Sequence, residues 1–405
     1  MTALNQTVIV GGGLAGANAA FELRKLGYDG RLTIVGEEDA WPYERPPMSK
    51  AYLRGEEPID KAYVRPPADY EANAVELLRG TRATAIDLAR HRLSTTAGEI
   101  PFDALVIATG ATPRRLDVPG AELDGVLYLR DVADADALRS AAEAAESIAV
   151  IGGGWIGAEV AASLRQLGHS VAMITSQTRP LEHVLGPEIA EVYRQVHVEH
   201  GVRLVSGRVE ALEGSHRVAG VLVADGHRVA ADLVVVGVGA LPRIDLAAGA
   251  GLRLEGDAIL VDQFLRTSAP GIYAVGDAAT AFSPRYGRAV HLEHWDNAIR
   301  QGQTVAANIL GSEVPYDRVP YLYSDQYDLG MEYRGLALDW DEVVVRGDLR
   351  ARHFHAFWLN DGRVSAAMNV NLWDDGDALQ ELVESEATVD RVRLADSNVA
   401  LAEAA

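Results

Sequence analysis

The first forty residues alternate between short apolar runs and one segment with helical periodicity. The apolar run Thr7-Val-Ile-Val10 leads into glycines, and Gly27 stands where a helix commonly ends. Between them, one face of a helix would be formed by Ala19, Ala20, Leu23 and Leu26. A second apolar run, Leu32-Thr-Ile-Val35, follows. This order predicts a strand, a helix and a parallel strand, which together form a βαβ unit.

The glycines of this unit have the spacing Gly11-x-Gly13-x-x-Gly16. The first glycine permits a tight turn, the second lets the backbone approach a pyrophosphate, and the third lets the helix pack close to the strand. The helix N-terminus then offers free N–H groups to phosphate. Glu37 follows the last glycine by 21 residues, the spacing of a carboxylate that binds a ribose diol. The segment therefore predicts a dinucleotide site.

The same pattern recurs about 140 residues later. The apolar run Ile148-Ala-Val-Ile151 leads into Gly152-x-Gly154-x-x-Gly157, a helical pattern follows, and the next apolar run is Val171-Ala-Met-Ile174. Two copies predict two dinucleotide sites in one chain. A bound flavin and a diffusible nicotinamide are the pair that such a chain uses.

The second copy has no carboxylate after its second strand, where the chain reads Thr175-Ser176-Gln177. An acid there would bind the 2′-OH of NAD and repel the 2′-phosphate of NADP. Ser176 and Arg179 could accept that phosphate instead, which favours NADPH tolerance slightly. In the alternative interpretation, a neutral residue simply recognises NAD less strictly.

Composition and charge exclude several classes of function. The chain has 405 residues, a formal net charge of −21 and no cysteine. The negative charge disfavours nucleic acid as a partner. The lack of cysteine rules out disulfides, thiolate-bound iron–sulfur clusters and dithiol redox pairs within the chain. There is no apolar run of about 20 residues and no signal-peptide pattern, so a cytoplasmic enzyme without a membrane span is expected.

Three further segments carry a family resemblance: Pro42-Tyr-Glu-Arg-Pro-Pro-Met-Ser-Lys50, Leu105-Val-Ile-Ala-Thr-Gly-Ala-Thr-Pro-Arg114, and Ile272-Tyr-Ala-Val-Gly-Asp277 with 292–298 behind it. Together they resemble the flavoprotein ferredoxin reductases of bacterial oxygenase systems, the group of putidaredoxin reductase and rubredoxin reductase. The resemblance covers nearly the whole chain, and the Arg-Pro-Pro-Met-Ser-Lys segment is its most specific marker.

The fold that the resemblance implies is α/β and of the glutathione-reductase type. It has two Rossmann-like dinucleotide-binding domains, one for FAD and one for NAD(P), and a smaller α+β C-terminal domain. The implied boundaries are 1–112 and 245–315 for the FAD-binding domain, 113–244 for the NAD(P)-binding domain and 316–405 for the C-terminal domain.

The resemblance also implies roles for particular residues. Lys50 and Glu159 resemble a catalytic pair at the junction of flavin and nicotinamide. Contacts to FAD are implied for Gly11, Gly13, Ala15, Glu37, Arg45, Arg130, Asp277 and Trp295. The remaining implied cofactor-binding residues are Gly16, Thr109, Gly110, Gly152, Gly154, Ile156, Gly157, Thr175, Ser176, Gly239, Glu293 and His294. The ordinary alternatives are an exposed lysine for Lys50, a solvated helix acid for Glu159, a surface arginine for Arg45 and plain core packing for Trp295.

The chain departs from the family pattern in two places. Members often have Arg-Leu-Glu-(Ser/Thr)-Trp near the flavin, where this chain reads His291-Leu-Glu293-His294-Trp295. Members also often have a segment rich in Trp or Phe before Ser-Asp-Gln, where this chain reads Tyr321-Leu-Tyr323. The two histidines could tune proton access or redox behaviour. Since they lack other strong donors at ligand spacing, no metal site is expected.

The chemistry narrows the function. A nicotinamide gives a hydride, flavin releases electrons singly, and the lack of cysteine removes the dithiol route. We therefore expect an FAD-dependent NAD(P)H:ferredoxin reductase that serves a cytochrome P450 or another oxygenase. Its partner would be an iron–sulfur ferredoxin with a two-iron, two-sulfur or three-iron, four-sulfur cluster, docked by a local basic patch. The candidates for that patch are Arg285, Arg288 and Arg300.

Two alternatives stay open. One is a soluble NAD(P)H oxidase or quinone reductase that needs no protein partner. The other, ranked lowest, is a protein whose cofactor state controls association, resembling apoptosis-inducing factor. The sequence leaves monomer and homodimer equally open.

Overall fold

The computed structural model describes residues 4–404, which divide into two compact units. The first unit comprises the chain up to Arg45 together with Ile59–Thr112 and Ala240–Pro320. The second comprises Pro46–Pro58, Pro113–Gly239 and the chain from Tyr321 onward. Each unit is therefore built from segments that are far apart in the sequence.

The α-helices are α1 Leu14–Lys25, α2 Pro67–Ala72, α3 Val132–Glu143, α4 Trp155–Gln166, α5 Glu182–Glu199 (interrupted at Gly186), α6 Asp245–Gly249, α7 Trp295–Ile309, α8 Gly376–Ser385 and α9 Arg391–Ala395. Short 3-10 helices occupy Pro46–Ser49, Ile59–Ala62, Ala224–Gly226, Gly276–Ala278 and Leu401–Glu403.

The strands in the first half are β1 Gln6–Val10, β2 Arg31–Val35, β3 Val75–Leu78, β4 Ala83–Asp87, β5 Arg92–Thr95, β6 Gly98–Pro101, β7 Ala104–Ile107, β8 Ala111–Pro113, β9 Val126–Tyr128, β10 Ser147–Ile151, β11 Ser170–Thr175, β12 Arg203–Ser206, β13 Val209–Gly214 and β14 Val218–Val223. Those in the second half are β15 Arg228–Ala230, β16 Leu233–Val236, β17 Ala240–Pro242, β18 Leu254–Glu255, β19 Ala258–Val261, β20 Ile272–Ala274, β21 Ala279–Ser283, β22 Arg288–His291, β23 Tyr321–Gln326, β24 Leu329–Gly335, β25 Glu342–Asp348, β26 His353–Asn360 and β27 Arg363–Val370.

A five-stranded parallel sheet of order β20-β7-β1-β2-β3 is the centre of the first unit. Its inner strands are apolar and buried, as is expected of parallel strands covered on both faces. Helix α1 follows β1 and packs along α7 so closely that a Cβ on Gly302 would lie 2.5 Å from the carbonyl oxygen of Ala15. Two smaller sheets, β18-β19-β21-β22 and β4-β5-β6, complete the unit.

The second unit repeats this arrangement in its own parallel sheet, of order β12-β11-β10-β16-β9. Helix α4 follows β10 as α1 follows β1, and an antiparallel sheet β13-β14-β15 is added. The two predicted βαβ units are thus confirmed. Each lies at the start of a parallel, doubly wound sheet.

The C-terminal part of the second unit is an antiparallel sheet of order β23-β24-β27-β26-β25, against which α8 packs. Its apolar face is buried in a core shared with α5, where Trp358 and Tyr193 are the largest fully buried side chains. The predicted fold class, α/β with an α+β C-terminal part, is confirmed.

Between residues 4 and 404, none of the helices is both long enough and apolar enough to cross a membrane.

Candidate functional site

The three glycines after β1 have different physical requirements. Gly11 has φ +123°, and a Cβ there would lie 2.0 Å from the carbonyl oxygen of Ala108. A Cβ on Gly16 would lie 2.1 Å from the carbonyl oxygen of Gly11. A Cβ on Gly13, by contrast, would meet no atom within 4 Å. Backbone packing therefore requires the outer two glycines, whereas the middle one faces open space.

The helix that begins at this open space is ready to bind an anion. Gly13 is the N-cap of α1, and neither a capping side chain nor an acid occupies its first turn. The first N–H groups of the helix are thus left for another acceptor. Open space before an uncapped helix N-terminus suits the pyrophosphate of a dinucleotide.

The second glycine set reproduces this geometry. A Cβ on Gly152 would lie 2.1 Å from the carbonyl oxygen of Gly237, and one on Gly157 would lie 2.1 Å from that of Gly152. Gly154, the uncapped N-cap of α4, again faces open space. Ile156 in the first turn of α4 is 47% exposed, so an apolar side chain stands beside the second cradle. Both cradles suit a dinucleotide.

Glu37, which follows β2, is exposed and pairs with two arginines. Its Oε1 lies 2.9 Å from Arg82 Nε, and its Oε2 lies 2.8 Å from Arg243 Nη1. Two other predicted residues reach the same arginine through its backbone: Thr109 Oγ1 donates to the Arg243 carbonyl, and the Gly110 carbonyl accepts from the Arg243 N–H. The structure therefore brings Glu37, Thr109 and Gly110 together around Arg243.

Arg45 is held by groups on its own loop. Its Nη2 lies 2.6 Å from Glu38 Oε1, and its Nη1 donates to the Tyr43 hydroxyl, which in turn donates to Glu38. Asp277 is near enough to interact with Arg45 electrostatically. The guanidinium is thus fixed in place next to the segment that contains Asp277.

The segment from Gly276 to Trp295 gathers several predicted residues. Gly276 has φ +69°, and its backbone N–H donates a 2.7 Å hydrogen bond to the side-chain oxygen of Gln301. Burial lowers the pKa of His294, the N-cap of α7, to about 4, and its Nδ1 has no hydrogen-bond partner in the described chain. An unsatisfied buried nitrogen is the kind of group that a bound cofactor completes.

Two neighbours of His294 are also paired. Glu293 Oε1 lies 3.5 Å from Nε2 of His291, and this contact raises the pKa of that imidazole. Trp295 donates its indole N–H to Glu44. Sequence reasoning named Trp295 but did not find Glu44 as its partner.

Lys50 and Glu159 form a buried ion pair in the second unit. Lys50 Nζ lies 2.7 Å from Glu159 Oε2, with side-chain exposures of 12% and 5%. The carboxylate also accepts a 2.6 Å hydrogen bond from Ser49 Oγ and a 2.7 Å bond from Ser324 Oγ. The ammonium lies over the ring of Tyr323, 5.4 Å from its centroid. Lys50 is therefore not an exposed lysine, and Glu159 is not a solvated helix acid.

The end of β11 is less cationic than its sequence suggests. Thr175 is buried and accepts from the backbone N–H of Gln177, and Ser176 is exposed. Arg179 is paired twice, through Nη1 with Glu182 at 3.3 Å and through Nε with Glu191 at 2.9 Å. Hydrogen bonds from Arg194 and then Arg179 lower the pKa of Glu191 to about 2, so the carboxylate is ionised.

Arg130 and Gly239 also belong to the second unit. Arg130 follows β9, and its backbone N–H donates to Asp134 at the start of α3. Gly239 has φ +108°, and its carbonyl accepts from the N–H of Arg114.

The predicted site residues are divided between the two units. The first unit contains Gly11, Gly13, Ala15, Gly16, Glu37, Arg45, Thr109, Gly110, Asp277, Glu293, His294 and Trp295. The second unit contains Lys50, Arg130, Gly152, Gly154, Ile156, Gly157, Glu159, Thr175, Ser176 and Gly239.

Sequence reasoning paired Glu159 with Lys50 but missed Ser49 and Ser324, which also donate to its carboxylate. Ser324 and Gln326 are two residues apart on β23 and therefore lie on the same face of the strand, where both are buried. Two polar residues at this spacing in a strand are the sequence signal that could have indicated a buried polar network. Across residues 4–404, no three histidine, aspartate or glutamate side chains are grouped as a metal ion would need.

Comparison with known proteins agrees with this geometry. Residues 5–302 match the pyridine nucleotide-disulphide oxidoreductase family, and residues 321–405 match a reductase C-terminal family. The chain therefore belongs to the pyridine nucleotide-disulphide oxidoreductases, which places it among flavin- and nicotinamide-dependent enzymes. It belongs there without any cysteine.

The individual relatives are similar along their whole length. The ferredoxin reductase subunit of 5,5′-dehydrodivanillate O-demethylase from Sphingobium sp. is 41% identical over 98% of this chain and 97% of its own. The ferredoxin–NAD(+) reductase component of the anthranilate 1,2-dioxygenase system from Burkholderia cepacia is 39% identical over 97% and 98%. Putidaredoxin reductase, in its covalent complex with putidaredoxin, superposes with a TM-score of 0.94 at 37% identity over 98% and 97%.

Proposed function

We propose that this protein is an FAD-dependent NADH:ferredoxin reductase that supplies electrons to an oxygenase. The observation that carries the proposal is the pair of open glycine cradles in a chain without cysteine. Bound FAD accepts the two electrons of a nicotinamide hydride and releases them singly. Because the chain has no dithiol to receive them, an external acceptor is required, and we propose an iron–sulfur protein that takes them one at a time.

The predicted catalytic pair has a defined task in this reaction. The Lys50 ammonium is buried against Glu159 and the ring of Tyr323, so it presents a fixed positive charge with little water around it. A fixed cation in a poorly solvated place stabilises electron density that arrives with a hydride. The Glu159 carboxylate orients the ammonium and offers an acceptor to a carboxamide N–H.

The surroundings of Arg179 support NADH as the physiological donor. The guanidinium is paired with both Glu182 and Glu191, so a 2′-phosphate would have to displace an ionised carboxylate and lie beside another. Such displacement is unfavourable. The slight preference for NADPH inferred from the neutral residues after β11 is replaced here by a preference for NADH.

The ferredoxin is proposed from the relatives. One is named a ferredoxin reductase subunit, one a ferredoxin–NAD(+) reductase component, and one was captured with putidaredoxin. Of the three arginines considered for docking, Arg300 is paired with Asp296, whereas Arg288 is exposed on the β21–β22 hairpin, which also carries Phe282, 41% exposed. This hairpin is the proposed docking surface.

We propose the same domain assignment as the resemblance implies: FAD on 1–112 and 245–315, nicotinamide on 113–244, and a C-terminal domain on 316–405. It is supported by the separate parallel sheet behind each glycine cradle. The site residues keep their predicted roles within it.

The test is cytochrome c reduction by the purified holoprotein with NADH or NADPH, with and without a two-iron, two-sulfur ferredoxin. We expect a rise of at least about tenfold on adding ferredoxin, with NADH the better donor. Equal rates without ferredoxin, accompanied by oxygen or quinone consumption, would favour the oxidase or quinone reductase instead. Slow turnover with every acceptor, together with a change of oligomeric state on reduction, would favour the association protein.

A further inference from the structure

A buried chain of polar side chains leads from α5 to the catalytic pair. His197 Nε2 lies 2.9 Å from Gln326 Oε1, Gln326 Nε2 lies 3.3 Å from Ser324 Oγ, and Ser324 Oγ lies 2.7 Å from Glu159 Oε1. All four residues are buried, with His197 fully so. Isolated polar groups in such surroundings are costly, so the chain must be satisfied as a whole.

The donor and acceptor of each bond follow from chemistry. The Glu159 carboxylate is bound by the Lys50 ammonium and only accepts, so the single hydroxyl proton of Ser324 points to it. Ser324 can then only accept from Gln326, which places the amide nitrogen toward Ser324 and the amide oxygen toward His197. That oxygen only accepts, so the proton of His197 is on Nε2.

The protonation state of His197 agrees with this direction. Burial lowers its pKa to about 4, so the ring is neutral and has one proton to give. Its Nδ1 is left as an acceptor and faces the Tyr327 hydroxyl at 3.5 Å. In every hydrogen bond of this chain the donor is thus the residue farther from Glu159. The last donor, Ser324, binds Oε1 of Glu159 and leaves Oε2 to Lys50.

We propose that His197 and Gln326 are positioning residues for hydride transfer, which set the Lys50 ammonium by orienting Ser324 and through it the Glu159 carboxylate. This inference rests on the proposed role of Lys50. Ser324 occupies Oε1, so Lys50 and Ser49 meet on Oε2. A hydrogen bond at one oxygen resists rotation of the carboxylate, and it thereby helps to hold the ammonium that is paired with the other oxygen.

A merely structural role for His197 predicts something different. The residue packs against Tyr327 in the core between α5 and β23, so its loss could lower stability alone. A structural effect would be the same whether or not Lys50 is present. An effect that acts through Lys50 would disappear when the ammonium is removed, because interacting residues are not additive.

The experiment is a double-mutant cycle on the holoprotein. His197→Phe is made in the wild type and in Lys50→Met, and flavin reduction is followed by stopped flow over a range of NADH concentrations. We expect His197→Phe to lower the limiting rate about tenfold in the wild type, with an unchanged dissociation constant for NADH, and less than about twofold in Lys50→Met. His197→Gln, whose amide nitrogen can replace Nε2, should restore most of the rate.

The matched control is His200→Phe. His200 lies one turn away at the same helix end, and its ring stacks on Tyr327 and hydrogen-bonds to the Val196 carbonyl, outside the chain to Glu159, so its substitution should leave the rate within about twofold. Should His197→Phe fail to fold, Gln326→Met interrupts the same chain with little change in volume. Equal losses in the two backgrounds, or no loss in the wild type, would overturn the proposal. If Lys50→Met itself reduced flavin at the wild-type rate, the proposed catalytic role of the Lys50–Glu159 pair would be wrong.

Discussion

The indole Nε1 of Trp295 donates a hydrogen bond to Oε2 of Glu44 over 3.1 Å, which joins the first residue of α7 to a loop 251 residues earlier in the chain. Burial raises the pKa of this carboxyl, although the indole N–H partly opposes the rise. The bond therefore holds a carboxylate in a place that disfavours its charge.

Replacing Glu44 with glutamine should stabilise the protein above about pH 5. A carboxyl whose pKa is higher in the folded state contributes stability at low pH and loses it as the pH rises past its ordinary value of 4.5. The glutamine side chain would keep an acceptor for Trp295 without a charge. We expect Glu44→Gln to raise the Tm of the holoprotein by about 1–2 °C at about pH 8 and by nothing at about pH 4. The exposed Glu99→Gln is the control; a stabilisation independent of pH would contradict this account.

Lys50→Met should slow flavin reduction by NADH on the order of 100-fold. It should also lower the free energy of unfolding by about 3 kcal/mol, because it leaves Glu159 charged and buried. Adding Glu159→Gln should recover most of the stability in urea denaturation but none of the rate. Recovery of both would show that the pair is structural only.

Substitutions of the middle and of the outer glycine in each cradle should have different effects. Gly13→Ala has room for its methyl group, so the protein should fold but bind FAD about tenfold more weakly, as titration of the apoprotein with FAD would measure. Gly16→Ala would press a methyl group against a backbone oxygen and should leave little folded protein.

The second cradle supplies the comparison for this test. Gly154→Ala should raise the KM for NADH without loss of FAD, and Gly157→Ala should destabilise the fold. A Gly13→Ala protein with unchanged FAD affinity would mean that the open space does not receive the pyrophosphate.

Glu191→Gln should make NADPH a better substrate. It removes one of the two charges that hold Arg179, so the guanidinium becomes available to a 2′-phosphate. We expect kcat/KM for NADPH to rise about fivefold relative to NADH, since a partly exposed pair contributes about 1 kcal/mol at most. Arg179→Gln in the same background should abolish the gain, and an equal rise for both nucleotides would rule out this interpretation of the site.

The glycine cradles could be predicted from sequence because their geometry is local. A turn that joins a strand to a helix fixes which of three neighbouring positions must lack a side chain, and the spacing alone records it. The chain also shows Lys50 in a recognisable segment. The resemblance also paired Lys50 with Glu159, but the remaining partners of the functional charges depend on tertiary packing and could not be predicted.

Distance along the chain explains what was missed. Ser324 meets Glu159 across 165 residues, and His197 meets Gln326 across 129. Nothing in the local pattern records such contacts. The pairing of Arg179 was missed for a different reason: its partners are only 3 and 12 residues away, but whether they reach the guanidinium depends on how the chain turns between β11 and α5.

Arg288→Glu should weaken the interaction with ferredoxin specifically. With a net charge of −21, the protein repels an acidic partner except where an exposed cation is presented, and the β21–β22 hairpin presents the exposed Arg288. Reversal of that charge should raise the KM for a two-iron, two-sulfur ferredoxin about five- to tenfold at low salt, and the difference should shrink as ionic strength rises.

Ferricyanide reduction by NADH needs no protein partner and should stay unchanged in this variant. Arg92→Glu makes the same charge change at an exposed position of β5 and is the matched control. If both variants raise the KM equally, net charge rather than the hairpin governs docking. If neither does, the ferredoxin binds elsewhere on the protein, and the exposed Phe282 then needs a different explanation.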